Sequence, residues 1–469
     1  MGVMRFCLVV AVMGIGRVGY GEGMMKVVGS SVVDPAGLTM DGTYGPLING
    51  LSFQQYPIAS LNGYQYVVYY DGERRVCVGR RKVPALKWEV IRFSDYAFKG
   101  DDAHNVAVLG ICPADGTIHL AFDHHVSKLH YRVSEKGAAT HPEGVKWTAE
   151  LFGGITDQLE KKMDHVTYPQ FVETPEGNLQ LFYRYGTSGA GDRYVVDYDG
   201  GTGKWHGTRE IDSGKGTFSD MFGKSTARNG YENGYVYGAD GKLHTTWCWR
   251  ETTQGANHDI CYAWSPDEGV TWRNSAGAVV NSGDGKEMIS VDSPGITVVP
   301  LDRTFSLMNT QAEGVDSKGR VHVVMWHRKE EEGYRKESWD PVHSAYYHYW
   351  RGEDGVWKES RIPGEVGNRP KMVFDGKDDA YVLTVVNRNQ KEWQSGIYFV
   401  DGELVVWKAT AGSGWKDWAV AYRDAGHYMS EPLMDVGRMK EGVLSVILQE
   451  SAEKKRAPAA IRVLELGVE

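Results

Sequence analysis

The stretch FDHHVSKLHYR, residues 122–132, places three histidines, a lysine and an arginine within eleven residues. An acid, Asp123, precedes the histidine pair. Paired histidines beside an acid serve either as metal ligands or as proton-transfer groups. A metal needs third and fourth ligands, and none stands nearby at a recognisable spacing. Other polar residues recur at the ends of short apolar runs. They are His104 and Asn105 in DDAHNVAVLG, His124 and His125 in FDHH, Tyr168 in HVTYPQF, Arg184 in LFYRYGTSGAGD, Tyr231 in NGYENGYVYG and Arg250 in TTWCWRET. This set suits proton abstraction next to a carboxylate. Such a step places extra negative charge on the carboxylate, which an arginine neutralises in bidentate fashion. Tyrosine and histidine can take the proton and protonate the leaving oxygen, and the sequence leaves open which does which. No carboxylate pair stands among these residues, which disfavours two-carboxylate glycoside hydrolysis. There is no Gly-x-Ser-x-Gly elbow and no phosphate-cradling loop.

The elements that must position these residues repeat. An acidic or polar residue, a glycine and then a strand recur in ADGTIHLAFDHH, PEGNLQLFYRYG, ADGKLHTTWCWR, SKGRVHVVMWHR and FDGKDDAYVLTVV. The glycines are Gly116, Gly177, Gly241, Gly319 and Gly376, so the spacings are 61, 64, 78 and 57. Further short strands lie between the copies, and helical periodicity is weak. Several strands per repeat predict an all-β, seven-bladed β-propeller in a single domain. The run SPDEGVTW, residues 265–272, is an Asp-box, a hairpin motif that supports fold and says nothing of chemistry. His119, His244 and His322 each stand three residues after a repeat glycine, which predicts a shared packing position. In a propeller the inner loops of successive blades converge on the axis, so the polar groups above would meet in one pocket.

The chain has 469 residues and a formal charge of −9, which gives no general attraction for nucleic acid. Arg5 and a short apolar run, followed by small residues, predict a secretory leader over residues 1–22. The propeller is then residues 23–469. The leader's apolar core is too short to span a bilayer, and nothing later is long enough. Location is therefore secreted or periplasmic, and a monomer is expected. Cys77, Cys112, Cys248 and Cys261 do not form a disulfide framework in a mature chain this long.

At these residues the sequence resembles the BNR/Asp-box propeller family that includes the seven-bladed ulvan lyases. The resemblance rests on DAHNVAVLGICPADGTIHLAFDHHVSKLHYRVS, TYPQFVETPEGNLQLFYRYGTSGAGD and DGKLHTTWCWRETTQGANHDICYAWSPDEGVTW. It implies a secreted polysaccharide lyase acting by β-elimination on an acidic polymer of uronate and rhamnose 3-sulfate. It implies catalytic roles for His104, His124, Tyr168 and Arg184. It implies substrate contacts at Asn105, His125, Tyr231 and Arg250, with His125 facing away from the chemistry. No cofactor is implied for catalysis. A structural zinc is implied, with His258, Cys261, His327 and His343 as its candidate ligands. The residues leave two other classes open: a propeller glycoside hydrolase and a non-catalytic carbohydrate-binding propeller. SRIPG, residues 360–364, resembles a sialidase element but falls too late in the chain.

Overall fold

The computed structural model describes residues 25–41, 45–252, 257–328, 343–388 and 401–468. The expected leader, residues 1–22, lies outside the described residues. Among the described residues, seven antiparallel sheets of three or more strands succeed one another, and one two-stranded hairpin, Phe218–Asp220 with Gly223–Ser225, stands apart. Helix among the described residues is confined to short 3-10 turns. None is long and apolar enough to cross a membrane. The leading strands of blades 1 to 7 are Ile58–Leu61, Ala107–Cys112, Val166–Glu173, Arg228–Tyr237, Ala312–Val315, Lys371–Phe374 and Leu433–Asp435. The leading strand of blade 7 packs against that of blade 1. This is the seven-bladed propeller that the repeat predicts.

The ring closes through its two ends. Lys26–Gly37 pairs antiparallel with Ala459–Gly467, from Lys26 opposite Gly467 to Gly37 opposite Ala459. Blade 7 therefore borrows its outermost strand from the start of the chain. Central strands are buried on both faces; every residue of Tyr64–Tyr70 is buried. That two-sided burial explains why such strands read as unbroken apolar and aromatic runs.

Gly116, Gly177, Gly241 and Gly319 all adopt positive φ, between 71° and 79°, which is why a glycine opens each of these strands. The fifth copy differs. Gly376 is not left-handed; Asp378 is, at φ 62°. The amide of Asp378 bonds to the Asp375 carbonyl, as that of Gly177 bonds to Thr174. The copy FDGKDDAY therefore aligns on Asp378, two residues later than the glycine suggests. Aspartate tolerates the left-handed region well enough to take the place.

Counting three residues on from each left-handed position gives His119, Gln180, His244, His322 and Tyr381. All are buried and hydrogen-bonded. His119 meets Tyr131 Oη at 2.6 Å, His244 meets Tyr262 Oη at 2.8 Å, and His322 meets His348 at 2.9 Å. Gln180 accepts from Tyr237 Oη at 2.7 Å and Tyr381 donates to Asp375 at 3.2 Å. The slot is a packing position, as the regular spacing indicates. The Asp-box forms likewise. Asp267 accepts from the Thr271 amide and hydroxyl, both at 2.8 Å, and Trp272 is fully buried beneath.

Two outcomes follow. Asp267→Ala removes the acceptor for Thr271 and for Ser265, and should lower stability by about 1–2 kcal/mol in denaturant melts. An unchanged midpoint would show that the box carries no load. Burial pushes the His244 imidazole down to about 4. The unfolded chain takes up this proton as pH falls through about 6.5, whereas the folded chain refuses it until about 4. The associated stability is thus intact above 6.5 and lost as pH falls. Gln180 fills the same slot in blade 3, so His244→Gln is a fair substitute. It should flatten the decline between pH 6.5 and 4.5 by up to about 1.4 kcal/mol per pH unit. Superimposable pH profiles of parent and variant would mean that His244 is not held neutral.

Candidate active site

The leading ends of the first strands bring the chemistry together. Asp102 lies in the loop before blade 2. Its Oδ1 accepts the His104 amide at 2.9 Å and lies 2.6 Å from His104 Nδ1. Its Oδ2 lies 2.6 Å from His125 Nδ1. The two imidazoles stack with ring centroids 4.5 Å apart. His125 reaches this place because His125–Ser127 leaves blade 2 and pairs with the start of Val166–Glu173 in blade 3, His125 opposite Thr167. Tyr168 follows Thr167, at φ 52° inside a register shift between Thr167 and Gln170. The shift turns its ring towards the histidines, 5.8 Å from His104 and 6.4 Å from His125. Pro169 holds Tyr168 out of the right-handed helical region. Arg184 stands opposite Thr167 on the next strand. Its guanidinium carbon lies 4.9 Å from the Tyr168 ring centre, and Nη1 donates to Tyr231 Oη at 3.2 Å. Nε and Nη2 of Arg184 are buried without a hydrogen-bond partner.

The electrostatics divide the groups. Burial pushes the His104 imidazole down to about 4, against the pull of Asp102. His104 is therefore neutral at pH 7. A carboxylate beside Nδ1 fixes the ring proton there and makes Nε2 the basic nitrogen. Burial raises the Asp102 carboxyl, but the hydrogen bonds to His104 and His125 prevail and hold it well below the usual carboxylate range. Burial likewise raises the Tyr231 phenol, and the charges of Arg184 and Arg250 more than offset this, leaving it below its ordinary value. Burial works against the Arg184 charge, and Tyr231 and Tyr168 restore it.

His104, His125, Tyr168, Arg184, Tyr231 and Arg250 are thus gathered in one region. His124 and Asn105 are not pointed there. His124 is buried, and its Nε2 accepts the His130 amide at 2.8 Å, tying down the turn. Burial holds its imidazole well below the ordinary value. The expectation that His124 faces the chemistry and His125 faces away is reversed in this geometry. Asn105 donates from Nδ2 to Asp123 at 2.5 Å and bolts the same turn. Sequence reasoning passed over Asp102, although DDAH offers the acid two residues before His104. It also passed over Phe53, whose ring stacks on Tyr168 at 4.7 Å; nothing in its local sequence marks it.

The four expected zinc ligands do not assemble. His258 directs Nε2 to Glu251 at 2.9 Å and Nδ1 to Asp259 at 3.0 Å. Burial opposes its charge, but these two carboxylates win and raise its pKa. A ring offering two N–H groups to carboxylates has no lone pair for a metal. His327 uses both nitrogens, on the Arg328 carbonyl and the Tyr349 hydroxyl. Cys261 is enclosed in the blade 4 core, where burial pushes its thiol far up. His343 is exposed. Among the described residues, one set of three candidate ligands lies within reach of a common ion: Asp102, His104 and His125. Contacts of 2.6 Å in that set are hydrogen bonds; a shared zinc would hold its ligand atoms about 3 Å apart.

Residues 64–365 match the model of the BNR repeat-containing family. The chain is 25% identical over 465 residues to an ulvan lyase, long isoform, of Alteromonas sp. (strain LOR). That match covers 87% of this chain and 42% of the relative, so the chain spans less than half the relative's length. Among solved structures it is similar to the polysaccharide lyase Uly1, with a TM-score of 0.72, 18% identity, and coverage of 95% of this chain and 100% of the other. It is also similar to a PL25 ulvan lyase bound to -[GlcA(1-4)Rha3S]-, with a TM-score of 0.66, 13% identity, and coverage of 94% and 96%. These likenesses carry the propeller fold. The family match spans well over half of the sequence, and the chain belongs to the BNR repeat-containing family.

Proposed function

We propose that the chain is a polysaccharide lyase that cleaves an acidic, uronate-containing polymer of the ulvan kind by β-elimination. One observation carries this reading: a histidine pair sharing Asp102 stands beside Tyr168, and the Arg184 guanidinium packs over the same Tyr168 ring. The Arg184 guanidinium is the group for the uronate carboxylate, whose negative charge grows as the proton on C5 leaves. His104 Nε2 takes that proton. The electron pair of the C5–H bond forms the C4–C5 double bond, the C4–O4 bond breaks, and O4 takes the Tyr168 hydroxyl proton. His125 keeps Asp102 ionised and so keeps His104 in the required tautomer. The names of the relatives and the uronate–rhamnose 3-sulfate ligand of one similar structure support the substrate class. A polymer of this kind is met outside the cytoplasm, so we place the chain in a secreted or periplasmic setting, in keeping with the leader read at residues 1–22.

Turnover is read as near-ultraviolet absorbance of the new double bond, beside a reducing-end assay. Tyr168→Phe should lower kcat by about a thousandfold and Arg184→Ala by at least a hundredfold, both with the fold retained. Reducing ends without absorbance would replace the lyase by a hydrolase, and binding without product would leave a lectin. Because the base must be unprotonated, activity should be lost only as pH falls towards 4, well below the 6.5 of an ordinary histidine. An acid limb near 6.5 would remove His104 from the role. His125→Ala should cut kcat at least a hundredfold. His124→Ala should chiefly cost stability, about 1–3 kcal/mol, because it removes the acceptor of the His130 amide and empties a buried site. The opposite ranking in kcat would restore His124 to the chemistry.

A further inference from the structure

A column of stacked groups crosses the site from one side of the ring to the other. Its first member is Arg369, in the loop before blade 6, with its guanidinium carbon 4.7 Å from the Phe53 ring centre. Phe53, in the loop before blade 1, stacks on Tyr168 at 4.7 Å with the planes 15° apart. Arg184 caps the column at 4.9 Å from Tyr168 and 5.6 Å from Tyr231. The Arg369 end is firmly fixed. Its Nη1 donates to Glu431 at 3.0 Å, Nε to the Asn309 carbonyl at 2.8 Å, and Nη2 to Asn309 Oδ1 at 2.9 Å. Glu431, in the loop before blade 7, also accepts the Ser52 amide at 2.5 Å, next to Phe53. Arg369 and Glu431 are buried, at 2% and 0% exposure.

A buried ion pair is a poor way to gain stability, since apolar residues of the same volume do as well. Its worth here lies in direction. Tyr168 sits at φ 52°, a backbone state that costs a tyrosine and persists only where neighbours over-determine it. A ring stacked on Phe53 and also in contact with the Arg184 guanidinium has that constraint.

We propose that Phe53 is a positioning residue for Tyr168, anchored from blades 5 to 7 by Arg369, Glu431 and Asn309. The proposal rests on the lyase reading for its kinetic consequence, and on geometry alone for its structural one. Phe53→Leu keeps apolar volume and removes the stacking face. It should lower kcat by about 10- to 100-fold with KM within about threefold, and Phe53→Tyr should restore most of the loss. A crystal structure of Phe53→Leu should show the Tyr168 ring moved off Arg184. If Phe53→Leu does not fold, Arg369→Lys is measured instead. It keeps the charge but loses the paired contacts to Asn309, and should lower kcat severalfold with the same displacement of Tyr168. An unmoved Tyr168, or an unchanged kcat, overturns the proposal. If the parent yields no unsaturated product from a uronate polymer, the lyase reading fails, and the position of Tyr168 in the variant crystal still decides this one.

Discussion

Everything at the site depends on the pairing of the first strand with the last. Lys26–Gly37 lies beside Ala459–Gly467, so the ring is closed by main-chain hydrogen bonds between the ends of the chain. Closure covers the outer edge of Ala459–Gly467 with a strand from the other end of the ring. It also sets distances that no local sequence could set. Ser52 and Glu431 stand 379 residues apart and share a hydrogen bond. Through that bond the last blade reaches Phe53, and through Phe53 it reaches Tyr168. A propeller with one gap would keep most of its core and lose this registration. Global closure and local chemistry are therefore one constraint.

The sequence shows the ring more readily than it shows the site. Left-handed turns need glycine, so four of the five repeated turns, each between the first and second strands of a blade, announce themselves at Gly116, Gly177, Gly241 and Gly319. The fifth is misplaced by two residues because Asp378 can do a glycine's work. Tyr168, Arg184, Tyr231 and His104 were legible because reactive side chains at strand ends are few and their types fit one chemistry. The choice between His124 and His125 was not legible. Alternation assigns sides only in a regular strand, and here Asp123 and Val126 both have positive φ, at 63° and 54°. The chain leaves blade 2 for blade 3 within these residues, and that turn decides which ring faces Tyr168. The four zinc candidates lie apart for a related reason. His258 and Cys261 share a strand, but the carboxylates that claim His258, Glu251 and Asp259, flank it in space and in sequence without any metal-like spacing.

The histidines show how one force yields two outcomes. Burial depresses His119, His244 and His104 alike, to about 3, 4 and 4. In the repeated slot the ring is enclosed and bonds through Nδ1 to a neighbouring ring group, and neutrality simply lets it pack. At His104 the neighbour is Asp102, whose side chain keeps 28% exposure, against 13% for His104. There the same neutrality leaves a basic nitrogen directed by a carboxylate that stays ionised. Desolvation makes the imidazole neutral in both places; the placement of the acid makes only one of them a plausible proton acceptor.

The strained backbone at Tyr168 then has a physical reading. A left-handed tyrosine costs of order 1–3 kcal/mol, and a regular strand would avoid it by turning the side chain into the sheet. The register shift between Thr167 and Gln170 does the reverse and delivers the ring to the space between His104 and Arg184. Thr167 is held by two further contacts, its pairing with Arg184 and its hydroxyl accepting the Val126 amide at 2.7 Å. The second of these belongs to the strand that carries His125. The bulge, the crossing strand and the histidine pair therefore stand or fall together. A change that relaxed Tyr168 into ordinary β geometry would release the strain and, in the same movement, take the hydroxyl away from the two groups that give it a use.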